Sequence, residues 1–145
     1  MAPRKEPPQK NSVSWYLRAF AFLLVIWGVI DCVSGGAIVY QAIAESLAAG
    51  ATLSLASSVL GVVVVAVSGL TAATGVMGLI ASRTPARLGS LHTLALAGVV
   101  ATGLGLGLCS AVGNELPTSL LFNGVLLIIC LVVAANAQKQ EQPQS

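Results

Sequence analysis

The sequence predicts an all-α integral membrane protein in which four transmembrane helices form an up-down-up-down bundle. Three observations support this prediction: an apolar composition, four long apolar runs, and basic residues confined to alternate connections. Of the 145 residues, 56% are hydrophobic and 8% are charged, and the mean hydropathy is +0.89. A soluble domain carries about 25% charged residues. We therefore expect the lipid bilayer to solvate most of this chain.

Each of the four apolar runs is long enough to cross a bilayer, which takes about 20 residues. The runs cover residues of about 17–42, 53–82, 89–112 and 117–137. Stretches such as GVVVVAV lack the alternating polarity of barrel strands, so helices are predicted. Short connections between them favour antiparallel neighbours. The predicted organisation is one transmembrane domain over 15–137, with disordered cytoplasmic tails at 1–14 and 138–145.

The basic residues predict the orientation of the bundle. The connections around Glu45 and Glu115 contain no Lys or Arg. All seven basic residues then lie on one side of a four-span bundle, at Arg4, Lys5, Lys10, Arg18, Arg83, Arg87 and Lys139. The positive-inside rule makes that side cytoplasmic, so both termini are expected inside, in a plasma or inner membrane.

An alternative reading treats the first apolar run as a cleaved signal peptide. Residues 1–44 have a basic start, an apolar core and an Ala42-Ile43-Ala44 site. The region after the core is too long for that reading, and the apolar run resumes after Gly36. A retained first span is therefore predicted.

Small residues repeat at a spacing of four in the first three spans. This spacing puts them on one helix face, where missing side chains let two backbones approach closely in lipid. We expect these faces to hold the bundle together or to form a homo-oligomer. The predicted packing residues are Gly28, Cys32, Gly36, Gly69, Gly75, Gly78, Gly98, Gly103 and Gly107.

Asp31 interrupts the first apolar run, and it is the strongest candidate for a functional residue. Counting about 1.5 Å per residue from the inner edge of the span places it slightly outside the midplane, where Asp costs about 2.5–3.5 kcal/mol. The same count puts Ser68, Thr102 and Asn123 near their own midplanes. A polar layer with one member from each helix is predicted. In one reading Asp31 fixes helix register; in the other it exchanges a proton or binds a cation.

No catalytic or metal-binding constellation is present in the sequence. His92 begins the third span, whereas Cys32, Cys109 and Cys130 lie elsewhere and form no C-x-x-C motif. We expect no enzyme activity, no cofactor and no metal. The net charge of +2 is explained by topology, so no nucleic-acid partner is expected. A Cys32–Cys109 disulfide is compatible in depth and remains open.

The outline of the chain resembles two families of small membrane proteins. Small multidrug-resistance transporters have four spans and a carboxylate in the first, as Asp31 is here, but they carry Glu, an aromatic lining and a shorter chain. The Gly103-x-Gly105-x-Gly107 motif is similar to the packing motif of four-span rotary-ATPase proteolipids. Their ion-binding carboxylate falls in span two or four, where this chain has only Asn123. No family membership is predicted.

Two classes of function follow from the sequence. The first is a structural or accessory multi-pass membrane protein, either self-associated or bound in a larger membrane complex. The alternative is a small homo-oligomeric transporter with Asp31 as its proton or cation site.

Overall fold

The computed structural model describes residues 10–50, 55–113 and 115–141. These residues contain no strand and form four long helices: α1 (Lys10–Ala49), α2 (Leu55–Ala81), α3 (Leu88–Ala111) and α4 (Thr118–Glu141). A 3-10 helix at Pro85–Arg87 precedes α3. All four α-helices are long and apolar enough to cross a membrane. The predicted all-α class with four candidate spans is confirmed.

Helices α1 and α2 form an extended antiparallel pair. Gly78 of α2 lies beside Ala21 near the start of α1, and Gly61 of α2 lies beside Val39 much later in α1. Residue numbers therefore rise along α1 in the direction in which they fall along α2, so the two helices run in opposite directions. This pairing is the largest helix contact in the molecule.

The remaining neighbours are antiparallel as well. Along α2 and α3, Val63 lies beside Gly105 and Gly78 beside Leu91. Along α3 and α4, Gly98 lies beside Leu127 and Gly89 beside Gln138. Helices α1 and α4 contact each other over a much smaller region than α1 and α2 do. The chain therefore runs up and down through the bundle, and α1 and α4 meet where the bundle closes.

The first and last helices exceed their predicted bounds. Helix α1 begins at Lys10 and ends at Ala49, whereas the predicted tail ended at residue 14 and the span at 42. The added segment IAESLAA consists mostly of good helix formers, and α1 stops where Gly50 adopts a left-handed φ of 57°. Helix α4 continues to Glu141, so 138–141 is helical rather than tail. Residues 1–9 and 142–145 of the predicted tails lie outside the described residues.

Exposed aromatic side chains lie at two levels along α1, one near each end of its apolar part. Trp15 and Tyr16 are 65% and 64% exposed, and Tyr40 is 74% exposed. Along α1 these levels are about 36 Å apart, which matches about 30 Å of hydrocarbon with rings at the headgroups. We call the end with Arg18 and Arg83 the basic end, and the end with Glu45 and Glu115 the acidic end.

Two buried apolar clusters fill the bundle, one towards each end. The acidic-end cluster consists of Val64, Val67, Cys109 and Leu120. The larger basic-end cluster consists of Leu17, Leu24, Ala81, Leu88, Leu91, Ala95, Leu126, Cys130, Ala134 and Ala137. On every helix that contributes to both, a buried polar residue lies between the two clusters.

Candidate functional site at the polar level

The level between the two apolar clusters holds every buried polar side chain in the described part of the chain. We call it the polar level. Its members come from all four helices, and they are Asp31, Ser68, Thr71, Thr74, Thr102 and Asn123. Each is at most 5% exposed, so the apolar surroundings make every hydrogen bond here energetically important.

The antiparallel pairing brings the four predicted site residues to this one level. Gly28, one turn before Asp31, lies against Ala72, one turn after Ser68. On the other side of the bundle, the methyl carbon of Thr102 lies 3.2 Å from an ideal Cβ at Gly124, which follows Asn123.

A hydrogen bond joins two of these four residues. Asn123 Nδ2 donates to Asp31 Oδ2 over 2.6 Å, linking α4 to α1 across 92 residues of sequence. Asp31 is 5% exposed and Asn123 is fully buried. An amide donor to a carboxylate is among the stronger hydrogen bonds in proteins, and it provides the buried acid with a partner.

The other two predicted residues do not bond to Asp31. Ser68 Oγ donates to the carbonyl of Val64 over 2.6 Å, and Thr102 Oγ1 donates to the carbonyl of Gly98 over 2.8 Å. Each hydroxyl is thus satisfied within its own helix, as is common for Ser and Thr in helices. The polar level is a shared depth rather than one connected network.

Thr71 and Thr74 extend the polar level along α2 from Ser68 towards the basic end, by about 9 Å at Thr74, and sequence reasoning missed both. Their hydroxyls donate to the carbonyls of Val67 and Leu70 over 3.0 and 2.8 Å. Both are polar residues in the middle of an apolar helix, and this feature of the sequence could have identified them as members of the polar level.

Trp27 is a further residue that sequence reasoning missed. It lies one turn before Asp31, and its ring packs on Phe122 with centroids 4.6 Å apart and planes tilted by 53°. Its buried Nε1 lies close enough to the Asp31 carboxyl to interact with it, without full hydrogen-bond geometry, and Asn123 Oδ1 is buried with no hydrogen bond to a described residue. Within the linked pair, the acceptor Asn123 Oδ1 therefore remains unused.

Two protonation states of the acid are compatible with this geometry. An ionised Asp31 accepts from Asn123 Nδ2 through Oδ2. A protonated Asp31 would donate to the amide oxygen after the amide turns by about 180°, since amide orientation follows the network. The pair can therefore hold the carboxyl in either state with one hydrogen bond intact.

The glycines predicted to pack fall into two groups. Those that approach another helix are Gly28, Gly75, Gly78 and Gly98. The other group does not pack against a neighbouring helix of this chain. An ideal Cβ would meet nothing within 4 Å at Gly36, Gly69, Gly103 and Gly107. Spacing alone does not tell which face of a helix meets a neighbour. Sequence reasoning also missed Gly35, Gly61 and Gly105, which do pack.

The remaining candidates lie apart from the Asp31–Asn123 pair. Cys32 is half-buried and Cys109 and Cys130 are buried, and all three are free thiols. The Cys32–Cys109 disulfide, which the sequence left undecided, is not formed in this structure. His92 is half-buried with no described partner for Nδ1. The described residues contain no group of three His, Cys, Asp or Glu side chains that could hold a metal.

Comparison with known proteins adds no relative: no protein-family model, curated protein or solved structure matches this chain.

Proposed function

We propose that this small multi-pass membrane protein has a structural or accessory function, without catalysis. The observation that carries the proposal is the hydrogen bond from Asn123 Nδ2 to Asp31 Oδ2, at 2.6 Å. Among the acids whose side chains are described, it gives the one inside the bundle a partner within the same chain. A buried polar pair of this kind is a known means of fixing helix register.

The position of the bond supports this role. Helices α1 and α4 share little contact surface, and close glycine packing is concentrated between other helix pairs. Apolar contacts in lipid distinguish helix registers weakly, because lipid tails are as apolar as the side chains. A single directional bond between Asp31 and Asn123 selects one register of α4 against α1.

The proposal extends to orientation and partners. Both termini and the loop at residues 83–87 are cytoplasmic, because this assignment gathers every Lys and Arg on the inner side. The partners are the lipid bilayer and either further copies of the chain or a larger membrane complex. Gly103 and Gly107, open on the surface of α3, offer one place for close helix approach.

The test compares Asp31→Asn with Asp31→Leu in the full chain. Asn retains hydrogen-bonding groups and loses the ionisable carboxyl, whereas Leu loses both. Under the structural role, Asp31→Asn keeps the stability of the wild type in detergent and Asp31→Leu lowers it. Proteoliposomes of the wild type and Asp31→Asn show the same proton permeability. A proton flux that Asp31→Asn abolishes while leaving stability intact would contradict the structural role.

A second candidate function is a small homo-oligomeric transporter that uses Asp31 as a proton or cation site. The observation in its favour is the unused Asn123 Oδ1, which is buried beside the carboxyl. Together the two oxygens could accept from a hydronium ion or bind a small cation. Intramembrane acids of transporters exchange their protons, so access to Asp31 is the property that separates the two functions.

Carbodiimide labelling measures that access directly. The reagent reacts with a protonated carboxyl that it reaches through the apolar phase, and Asp31→Asn serves as the blank. Labelling in membranes that fades between pH 5 and 9 with a midpoint near neutrality supports the transporter. Absence of labelling over the whole range supports a carboxyl sealed in the bundle.

A further inference from the structure

Four basic side chains surround the basic end of the bundle. Arg18 is on α1, Arg83 and Arg87 lie between α2 and α3, and Lys139 is in the last turn of α4. All four are exposed. Each lies within two residues of a buried member of the basic-end cluster, namely Leu17, Ala81, Leu88 or Ala137. The cations therefore form a rim around one end of a single core, which we call the basic rim.

No described carboxylate neutralises this rim. The three acids whose side chains the structure describes are Asp31, Glu45 and Glu115. Asp31 is buried at the polar level and bonded to Asn123, and the two glutamates lie at the acidic end. The positive charge of the rim is thus open to an anion from outside the described part of the chain.

The rim lies at the depth of lipid headgroups. Trp15 and Tyr16 are exposed within one turn of Arg18, and their rings meet edge to face at 5.4 Å. Trp and Tyr rings favour the headgroup level of a bilayer. One turn deeper, Phe22 is 59% exposed and presents an apolar surface to acyl chains.

Arg18 is held in a defined position at the end of α2. Its Nε donates to Ser82 Oγ over 3.2 Å, and Ser82 Oγ donates to the carbonyl of Leu79 over 2.7 Å. Arg83 follows Ser82 directly. The bond to Ser82 uses one guanidinium N–H and leaves the two terminal NH2 groups, which suit a phosphate.

We propose that Arg18 and Arg83 bind the phosphate of an anionic phospholipid, with Arg87 and Lys139 adding positive charge around it. The ligand is a lipid because the rim joins headgroup-level cations to an exposed apolar surface on the same helix. A basic residue near an anionic surface contributes about a fivefold gain in affinity. The site lies at the opposite end of the basic-end cluster from the polar level and does not depend on Asp31.

Quenching of Trp15 fluorescence by brominated lipids tests the proposal. The full chain with Trp27→Phe, which leaves Trp15 as the sole tryptophan, is placed in phosphatidylcholine vesicles containing brominated phosphatidylglycerol or brominated phosphatidylcholine. We expect a preference for the anionic lipid that falls as salt rises. Arg18→Gln and Arg83→Gln should each lower this preference about fivefold.

Lys10→Gln is the matched control, because it removes the same charge eight residues before Arg18. It should change the preference for the anionic lipid less than twofold, because Lys10 lies about one Debye length from Arg18 and its charge is screened at that distance. Equal quenching by both lipids, or an equal loss with Lys10→Gln, overturns the proposal. Loss of the preference when millimolar inorganic phosphate replaces chloride at constant ionic strength assigns the site to a free anion instead. If a rim variant loses its helical circular dichroism, the proposal is tested instead by the salt dependence of the wild type. A preference of the wild type for the anionic lipid that does not fall with salt overturns the proposal.

Discussion

The backbones of Gly28 on α1 and Ala72 on α2 are in direct contact. An ideal Cβ at Gly28 would lie 2.7 Å from the backbone nitrogen of Ala72 and 2.9 Å from its Cα. These are backbone atoms, so the contact is relieved only by moving one helix away from the other. The small residue at this position sets how closely the largest helix pair in the molecule can pack.

Replacing this glycine should separate α1 from α2. We expect Gly28→Ala to destabilise the protein by about 1–3 kcal/mol, as overpacking of a close-packed interior does. The measurement is unfolding of the purified protein in mixed micelles. Gly36→Ala on the same helix is the matched control, because its ideal Cβ meets nothing within 4 Å. Helix propensity favours Ala over Gly at both positions, so a loss confined to Gly28→Ala identifies the close contact as its cause, and equal losses for the two variants would contradict that.

The Asp31–Asn123 bond predicts energetic coupling between the two positions. Asn123→Leu leaves the buried acid without its described partner, and it should cost about 1–3 kcal/mol of unfolding free energy. In a double-mutant cycle with Asp31→Leu, the coupling should be about 0.6 kcal/mol and at most about 1.7 kcal/mol, the average and the maximum for hydrogen bonds between membrane helices. The same micelle unfolding assay gives all four corners of the cycle. A coupling near zero would mean that the bond does not stabilise the contact between α1 and α4.

The close contact between Gly105 and Val63 allows a steric test of the interface between α2 and α3. An ideal Cβ there would lie 2.6 Å from Val63 Cγ1, so Gly105→Ala should destabilise the protein by about 1 kcal/mol or more. Because the obstacle is a side chain, adding Val63→Ala should restore most of the loss. Gly103→Ala is the control on the same helix, since it has open space. If Val63→Ala gives no rescue, a shift of the backbone is the cause of the loss.

The large features of the fold could be predicted because they depend on solvation. Four apolar runs imply four helices, since each backbone has to satisfy its own hydrogen bonds in lipid. The depth of Asp31 and Asn123 followed from residue counting along straight helices, which is why both lie at the polar level. Helix ends were harder to predict, because α1 continues past the apolar run to Ala49 through residues that favour helix in water as well.

The rotation of each helix about its axis could not be predicted. Gly103 and Gly105 are two residues apart, yet Gly105 packs against α2 while Gly103 is open. Both satisfy the same spacing rule, and only the arrangement of neighbouring helices separates them. For the same reason the sequence put Ser68 and Thr102 beside Asp31 in depth but could not show that their hydroxyls bond within their own helices.

The orientation of the bundle predicts opposite labelling of its two ends. Thr84 is exposed at the basic end and Leu116 is 54% exposed at the acidic end. In a chain whose three cysteines are replaced by alanine, we introduce Thr84→Cys or Leu116→Cys and treat intact cells with a membrane-impermeant maleimide. Leu116→Cys should react at once, and Thr84→Cys only after the membrane is permeabilised, because the basic connection stays inside.

Labelling of whole cells after permeabilisation controls for the intrinsic reactivity of both thiols. The reverse pattern would place the basic rim outside and contradict the cytoplasmic assignment of both termini. Reaction at both ends in intact cells would mean that the chain inserts in two orientations. Seven basic residues on one side of four spans make a single orientation the expected result.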